Sequence, residues 1–364
     1  MKKNTTPVYY GDYLHLDKIL SAQELQSEKY ATAAHEETLF IIVHQVYELW
    51  FKQMLHELNT VLDVFTQEAV EDHQLSTVVH RLNRVIKIQK LLNDQISVME
   101  TMTPQEFLSF RDYLVPASGF QSIQFKMLEI KLGLKTQYRI DFDKQSFYQR
   151  LEPKDREFLQ NMETKNSLFE MVNDWLERLP LLDFEDFKFW HLYEKATQEM
   201  LQSDREIIQQ NETLTDEEKH KELTELGKTE ASFNAIFDEA GYHTLLQEGH
   251  FRLSQKALMS ALFIHQYCEE PVFNLPFQFL TCLTEIDENL TLWRYRHAMM
   301  VQRMLGTKIG TGGSSGHDYL KKTTESNRIF KDFFNMSTFL LPKEVLPALP
   351  VNVKKNLGFS LSSV

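Results

Sequence analysis

Apolar residues recur at steps of three and four from His35 to about Gln67, through Phe40, Val43, Tyr47, Trp50, Met54, Leu58, Val61 and Phe65. That period matches the α-helical repeat, so the stretch is predicted to form one long helix with a single buried face. A second long helix is predicted from about Asp72 to Glu100, carried by Leu75, Val78, Leu82, Val85, Ile88 and Leu92. A third is introduced by Pro271 and Pro276 and runs to about Leu305, with Ile286, Leu290, Trp293, His297, Met300, Val301 and Met304 on one stripe.

Between the second and third lies a short helix with strong end signals. Thr103 as N-cap, Pro104 at the first helical position and Glu106 three residues on form a capping box, and Pro116 stops the helix, which sets its limits at about 104 to 114. Ser118 and Gln121 make a second box, predicted to start a helix through Phe125, Leu128 and Ile130. Residues 1–34 are polar with Tyr9, Tyr10 and Tyr13 inserted and read as an arm. Residues 151–249 carry mixed-sign runs such as TDEEKHKELTELGKTE, the pattern of a solvated helical excursion laced by i,i+4 pairs. The expected core is then 35–150 together with 250–335, and 336–364 is a tail punctuated by Pro342, Pro347 and Pro350.

Composition narrows the class. Hydrophobic residues make up 42% and charged residues 25%, ordinary globular usage, which excludes disorder and low complexity. Only 12 glycines and 10 prolines occur in 364 residues, too few turn formers for a many-stranded sandwich, barrel or propeller, so an all-α fold is expected: a large helical bundle with an N-terminal arm and a helical excursion. A net charge of −13 repels phosphate backbones and argues against nucleic acid as a partner. Cys268 and Cys282 show no disulfide framework and no zinc spacing. The N-terminal stretch lacks the apolar region of a signal peptide, and no run of 18 apolar residues follows. No membrane partner and a cytoplasmic location are therefore expected.

Two histidines carry the candidate chemistry. His44 and His297 each interrupt the apolar stripe of a long helix, His44 between Phe40 and Tyr47 and His297 between Trp293 and Val301. A single histidine on a buried face is more often a core residue bonded to a carbonyl. A neutral imidazole in an aromatic-walled apolar space is also what an axial haem ligand requires. Other metal patterns fail: His35 and Glu36 lack the second histidine of HExxH, and the only ExxH pair, Glu217 with His220, lies in the charged run. Arg111 shares a helix face with Phe107, and its planar fork suits a ligand carboxylate, with a salt bridge to Asp112 or another acid as the alternative. The segment GTKIGTGGSSG holds five of the twelve glycines but is neither a P-loop nor GxGxxG, which leaves a helix stop or a loop that orders over a ligand through groups such as the Thr311 hydroxyl.

Four blocks, YGDYLHLDKIL, HEETLFIIVHQVYELWFKQ, FRDYLVPASGFQS and WRYRHAMMVQRMLGTKIGTGGSSG, closely resemble the tryptophan 2,3-dioxygenase family in order and spacing. The resemblance covers nearly the whole chain. It implies an all-helical homotetramer with one b-type haem per subunit, which inserts both atoms of O₂ across the C2–C3 bond of the indole of L-tryptophan to give N-formyl-L-kynurenine, opening the kynurenine pathway. On this resemblance His297 matches the axial ligand of the haem iron, with Trp293 packed beside the cofactor and Ser118 on the haem side of the pocket. His44, with Phe40, matches the distal histidine that contacts the indole N–H. Arg111 matches the arginine that grips the substrate carboxylate, Phe107 lines the same pocket, and Thr311 meets the amino-acid end of the substrate. Tyr10, Tyr13 and Leu14 match an arm that completes a neighbouring subunit's site. Phe107 stands where some members carry a tyrosine, and Asp12 where others carry asparagine. The alternatives are a haem-based sensor, a non-catalytic helical haem protein, and the sister class of indoleamine 2,3-dioxygenases; the FIIVH histidine and the arm favour the tryptophan-selective branch.

Overall fold

The computed structural model describes residues 4–30, 32–67, 70–139, 147–149, 151–179, 183–184, 187–306, 324 and 326–350. The arm contains three one-turn helices, α1 (Tyr10–Leu14), α2 (Leu16–Leu20) and α3 (Gln26–Tyr30), although its sequence has no sustained stripe. Their shortness is the reason: one turn needs no periodic face. The last of them is tied to the body, since the buried Glu37 carboxylate accepts from the main-chain N–H groups of Gln26 (2.8 Å) and Ser27 (3.0 Å).

The frame is three long helices, α4 (His35–Phe65), α5 (Asp72–Met99) and, much later in the chain, one spanning Pro271–Leu305. These are the extents the apolar periodicity predicts. Polar side chains fix how they pair. Glu57 on α4 takes Arg84 (2.9 Å) and Arg81 (3.3 Å) from the start of α5, while Gln95 near the end of α5 donates to the Val43 carbonyl (3.3 Å) near the start of α4, so the two run antiparallel.

After α5 the Thr103–Glu106 box forms as the sequence predicts, with Glu106 accepting from the Thr103 N–H at 2.7 Å. The helix it opens, α6 (Pro104–Phe110), is shorter than expected: residues Arg111–Leu114 tighten into a 3₁₀ turn. Val115 is extended, as a residue before proline must be, and the last turn narrows towards it. The Ser118–Gln121 box also forms, but it does not start the next helix. It closes a single 3₁₀ turn, Gly119–Gln121, and Ser122 caps α7 (Ile123–Leu132) by accepting from the Phe125 N–H at 3.2 Å. A serine in the right place to cap a helix four residues after the first box is what sequence reading passed over.

The charged middle of the chain folds into α8 (Pro153–Glu163), α9 (Leu168–Arg178), a two-residue-per-strand hairpin of β1 (Asp183–Phe184) and β2 (Phe187–Lys188), and α10 (Phe189–Gln210), α11 (Asp216–Phe237) and α12 (Glu239–Gln247). Its charges do form exposed pairs, such as Lys195–Glu199. Its apolar face does more than support itself: Trp175, Phe189, Tyr193, Phe233 and Tyr242 are buried in the same cluster as Val78 of α5 and Ile286 of the last long helix. Then come α13 (Gln255–Gln266), α14 (Pro271–Leu305) and α15 (Lys331–Asn335), the last followed by a 3₁₀ turn.

Helix α14 runs parallel to α5. Gln89 donates to the Ile286 carbonyl (3.1 Å), Asn93 to that of Asn289 (3.2 Å), and further along Arg296 donates to the Asn93 carbonyl (2.5 Å). A buried ion cluster joins α7 to α14: Glu129 receives Arg294 at 2.7 Å and Arg139 at 2.9 Å. Burial alone would raise the Glu129 pKa, but the two guanidinium charges outweigh it and hold the carboxyl at about 2. Among the described residues no helix is long and apolar enough to cross a membrane.

Candidate functional site

The antiparallel pairing of α4 with α5 and the parallel pairing of α5 with α14 bring the start of α4 level with the last third of α14. Val43 is level with Gln95, and Arg296 is level with Asn93 and Glu100. His44 and His297 therefore meet at one end of the frame.

The Nδ1 of His44 lies 2.6 Å from the Phe40 carbonyl oxygen. A carbonyl can only accept, so Nδ1 carries the hydrogen and the neutral ring keeps its Nε2 lone pair. His44 is accessible to solvent, yet enough protein surrounds it that burial lowers its pKa against the raising effects of the Phe40 bond and Glu48. His297 responds more strongly: burial first, then the proximity of His44, push it down to about 4. The His297 imidazole thus feels a charge on His44, and it is neutral at pH 7. Its Nδ1 is buried without a hydrogen-bond partner.

The walls are aromatic. Trp293, one turn before His297, stacks on it with ring centres 5.0 Å apart and planes 13° from parallel. Phe125 of α7 closes on Trp293 at 5.0 Å, and Tyr47 of α4 meets it edge-on at 6.2 Å. On the other side Phe40 lies 4.2 Å from the His44 ring and stacks on Phe107 at 5.7 Å, with Phe110 edge-on to both. Arg111 follows Phe107 by one turn, where its main-chain N–H accepts no new role but closes α6 on the Phe107 carbonyl; its side chain is half-buried.

Of the residues expected from sequence, Phe40, His44, Phe107, Trp293 and His297 are linked by ring contacts or by the effect of His44 on His297, and Arg111 is held next to them. Ser118 lies apart from that series on the connection between α6 and α7, where its hydroxyl accepts from the Phe120 N–H at 3.4 Å. Tyr10, Tyr13 and Leu14 are on α1, which buries none of its residues in this single chain. Thr311 lies outside the described residues. Sequence reading names neither Phe110, beside Arg111, nor Phe125 as a site residue, since their only signal is an aromatic character shared with 24 other phenylalanines.

Among the described residues no group of three or more His, Cys, Asp or Glu is placed to hold a bare metal ion. An iron seated here through one imidazole would need its other ligands from a macrocycle, and a neutral histidine with an apolar aromatic wall suits that group. The donor set fits haem.

The family model for tryptophan 2,3-dioxygenase matches residues 1–340. A protein of that name from Alteromonas mediterranea is 69% identical over 361 residues, covering 99% of this chain and 100% of its own. Those from Dictyostelium discoideum (48% identical, 98% of this chain, 89% of its own) and Xenopus tropicalis (46%, 96% and 86%) are similar over nearly the same span.

Proposed function

Because the chain belongs to the tryptophan 2,3-dioxygenase family, we propose how its residues divide the work of oxidising L-tryptophan to N-formyl-L-kynurenine. The enzyme is an oxidoreductase that uses O₂. His297 would hold the iron of a b-type haem, one per subunit, and that cofactor when bound would supply the binding and activation of O₂. Trp293, stacked on His297, would fix the plane of the ligand ring, and Ser118 would border the cofactor.

The remaining residues bind and orient. Phe40 and Phe107 offer stacked faces to an indole. The His44 Nε2, acceptor by virtue of the Phe40 bond, takes the hydrogen bond of the indole N–H. Arg111 pairs with the carboxylate, and Thr311 contacts the amino-acid end. Holding both ends of the substrate fixes C2 and C3 relative to O₂, which is where most of the protein's contribution lies. Phe107 has no hydroxyl to add a second bond to the carboxylate, so Arg111 carries more of that task.

The chain acts as a cytoplasmic homotetramer. Apolar residues exposed along α5 (Leu91, Val98) and α14 (Leu292, Tyr295, Met299) support burial against other copies, as does the exposed arm with Tyr10, Tyr13 and Leu14, which would reach a neighbour's site. In this reading 1–34 is the arm, 35–150 with 250–335 the haem-binding core, 151–249 the excursion and 336–364 the tail. The observation that carries the proposal is the nearness of two neutral imidazoles, close enough for His44 to lower the pKa of His297, one of them beside an aromatic pair that leads to an arginine. Its test is the absorption of the reduced protein on adding L-tryptophan and air. N-formylkynurenine should accumulate with one O₂ consumed per tryptophan; a bound haem with no O₂ consumption would leave the sensor reading in its place.

A further inference from the structure

Two consecutive carbonyls in the last third of α5 are captured by the two neighbouring helices. The Leu92 oxygen accepts from the Tyr47 hydroxyl of α4 at 2.8 Å, and the Asn93 oxygen accepts from the Arg296 guanidinium of α14 at 2.5 Å. Tyr47 is one turn after His44, and Arg296 immediately precedes His297. Both carbonyls lie within a continuous helix, so each side chain adds a bond to a group the helix ladder already engages, and neither capture is needed to satisfy a stranded acceptor. The same stretch is reinforced on either side. Gln95 donates to the Val43 carbonyl next to His44, Asn93 donates through its amide to the Asn289 carbonyl, and the second nitrogen of Arg296 stands 3.8 Å from Glu100.

We propose that Tyr47 and Arg296 are positioning residues which gauge both imidazoles against one peptide turn of α5, Leu92–Asn93, and so set the gap between His44 and His297. This rests on the haem reading above. A cofactor held between two side chains tolerates little error in their separation, because a ligand nitrogen displaced by a fraction of an ångström loses its bond to a central iron while the distal group loses its contact with substrate. A helix pair packed by apolar side chains alone can slide; hydrogen bonds from both neighbours to one rigid turn remove that freedom. Tyr47 has a second function in the same place, since its ring is edge-on to Trp293, the residue stacked on His297. Removing its hydroxyl keeps the ring that packs on Trp293 but also takes away the hydroxyl's interaction with the Trp293 side chain, so the Arg296 variants, which leave Trp293 untouched, carry the test of the register alone.

The test is haem retention and substrate response in Tyr47→Phe, Arg296→Met and Arg296→Lys, with Gln89→Met as a control that removes a comparable bond between α5 and α14, to the Ile286 carbonyl, nearer the start of both helices. Transfer of haem to an excess of apomyoglobin gives the dissociation rate, and the thermal midpoint of each apo-protein gives the structural cost. Tyr47→Phe and Arg296→Met should each release haem about tenfold faster than the parent, the effect expected of one lost bond to a positioning carbonyl. Arg296→Lys should recover most of the loss, and Tyr47→Phe should also raise KM for tryptophan with a smaller change in kcat. Gln89→Met should lower the apo midpoint comparably while haem release stays at the parental rate. Haem release that tracks the apo midpoint across all four variants, or that is unchanged in Tyr47→Phe and Arg296→Met, would overturn the gauge. Failure of the parent protein to take up one haem would instead overturn the functional reading on which it rests.

Discussion

Trp293 lies nearly parallel to His297, 13° from coplanar with ring centres 5.0 Å apart, one helical turn before it on α14. The stack covers one face of the imidazole, and the buried Nδ1 closes one edge. Burial keeps water from a protonated ring here and the neighbouring His44 adds to the effect, so its pKa falls to about 4. His44 is confined differently, by a bond from Nδ1 to the Phe40 carbonyl of its own helix, so the two rings have distinct surroundings.

Arg111→Leu should leave haem content unchanged and raise KM for L-tryptophan by about tenfold to a hundredfold, the cost of one charge-assisted carboxylate contact. Steady-state kinetics with tryptophan, alongside binding of an indole lacking the carboxylate, check this. Equal loss toward both ligands would count against the assignment.

His44→Ala should keep haem, raise KM and retain measurable turnover if, as proposed, it accepts the indole N–H. Complete inactivity at saturating substrate would point to obligatory proton removal. Burial lowers the His44 pKa below its ordinary 6.5, so the acceptor form persists as pH falls past that value. Tryptophan affinity should accordingly stay level from pH 8 down through 6.5, and a fall centred at 6.5 would contradict the lowered value.

Glu129 supplies an acid-sensitive part of the stability. Its pKa of about 2 in the fold lies below the 4.5 of an unperturbed carboxyl, so the unfolded chain binds the proton more readily. The contribution is present in full above 4.5 and is lost as pH falls through 4.5 towards 2, on the order of 3 kcal/mol in all. Glu129→Gln should remove this portion of the pH dependence of the denaturation midpoint, and should also destabilise at pH 7 by about 3 to 5 kcal/mol by leaving Arg139 and Arg294 buried beside an uncharged group.

Gly133 ends α7 with φ at +131°, and a Cβ built there would sit 2.6 Å from the Phe169 Cβ. Its carbonyl also receives Arg252 at 3.0 Å, whose guanidinium is held between Tyr138 and Phe169. Gly133→Ala should therefore cost roughly 2 to 4 kcal/mol by strain and clash together. Denaturant unfolding measures it; a change under 1 kcal/mol would show that the Phe169 region yields.

The long helices were legible because each keeps one apolar stripe for seven or more turns, and a histidine in the middle of such a stripe stands out against it. The Thr103–Glu106 box was legible because it is local. The register was not: what makes His44 level with His297 is the capture of main-chain carbonyls by Tyr47, Gln95, Asn93 and Arg296, and such bonds leave no period in the sequence. The start of α7 was misread for a related reason, since two serines four apart could each cap and only the three-dimensional path of the chain chooses Ser122. The charged middle hid its contribution to the core because Trp175, Tyr193 and Phe233 are scattered among solvated residues rather than gathered in a run. The arm residues and Ser118 were named from family resemblance alone, and nothing in their local pattern marks them.

The division of labour between the two imidazoles is tested most directly by titrating haem into the apo forms of the parent protein, His297→Ala and His44→Ala, following the Soret band. One haem per chain should bind to the parent and to His44→Ala, with stoichiometric uptake lost in His297→Ala. Normal uptake by His297→Ala, or loss confined to His44→Ala, would contradict the account.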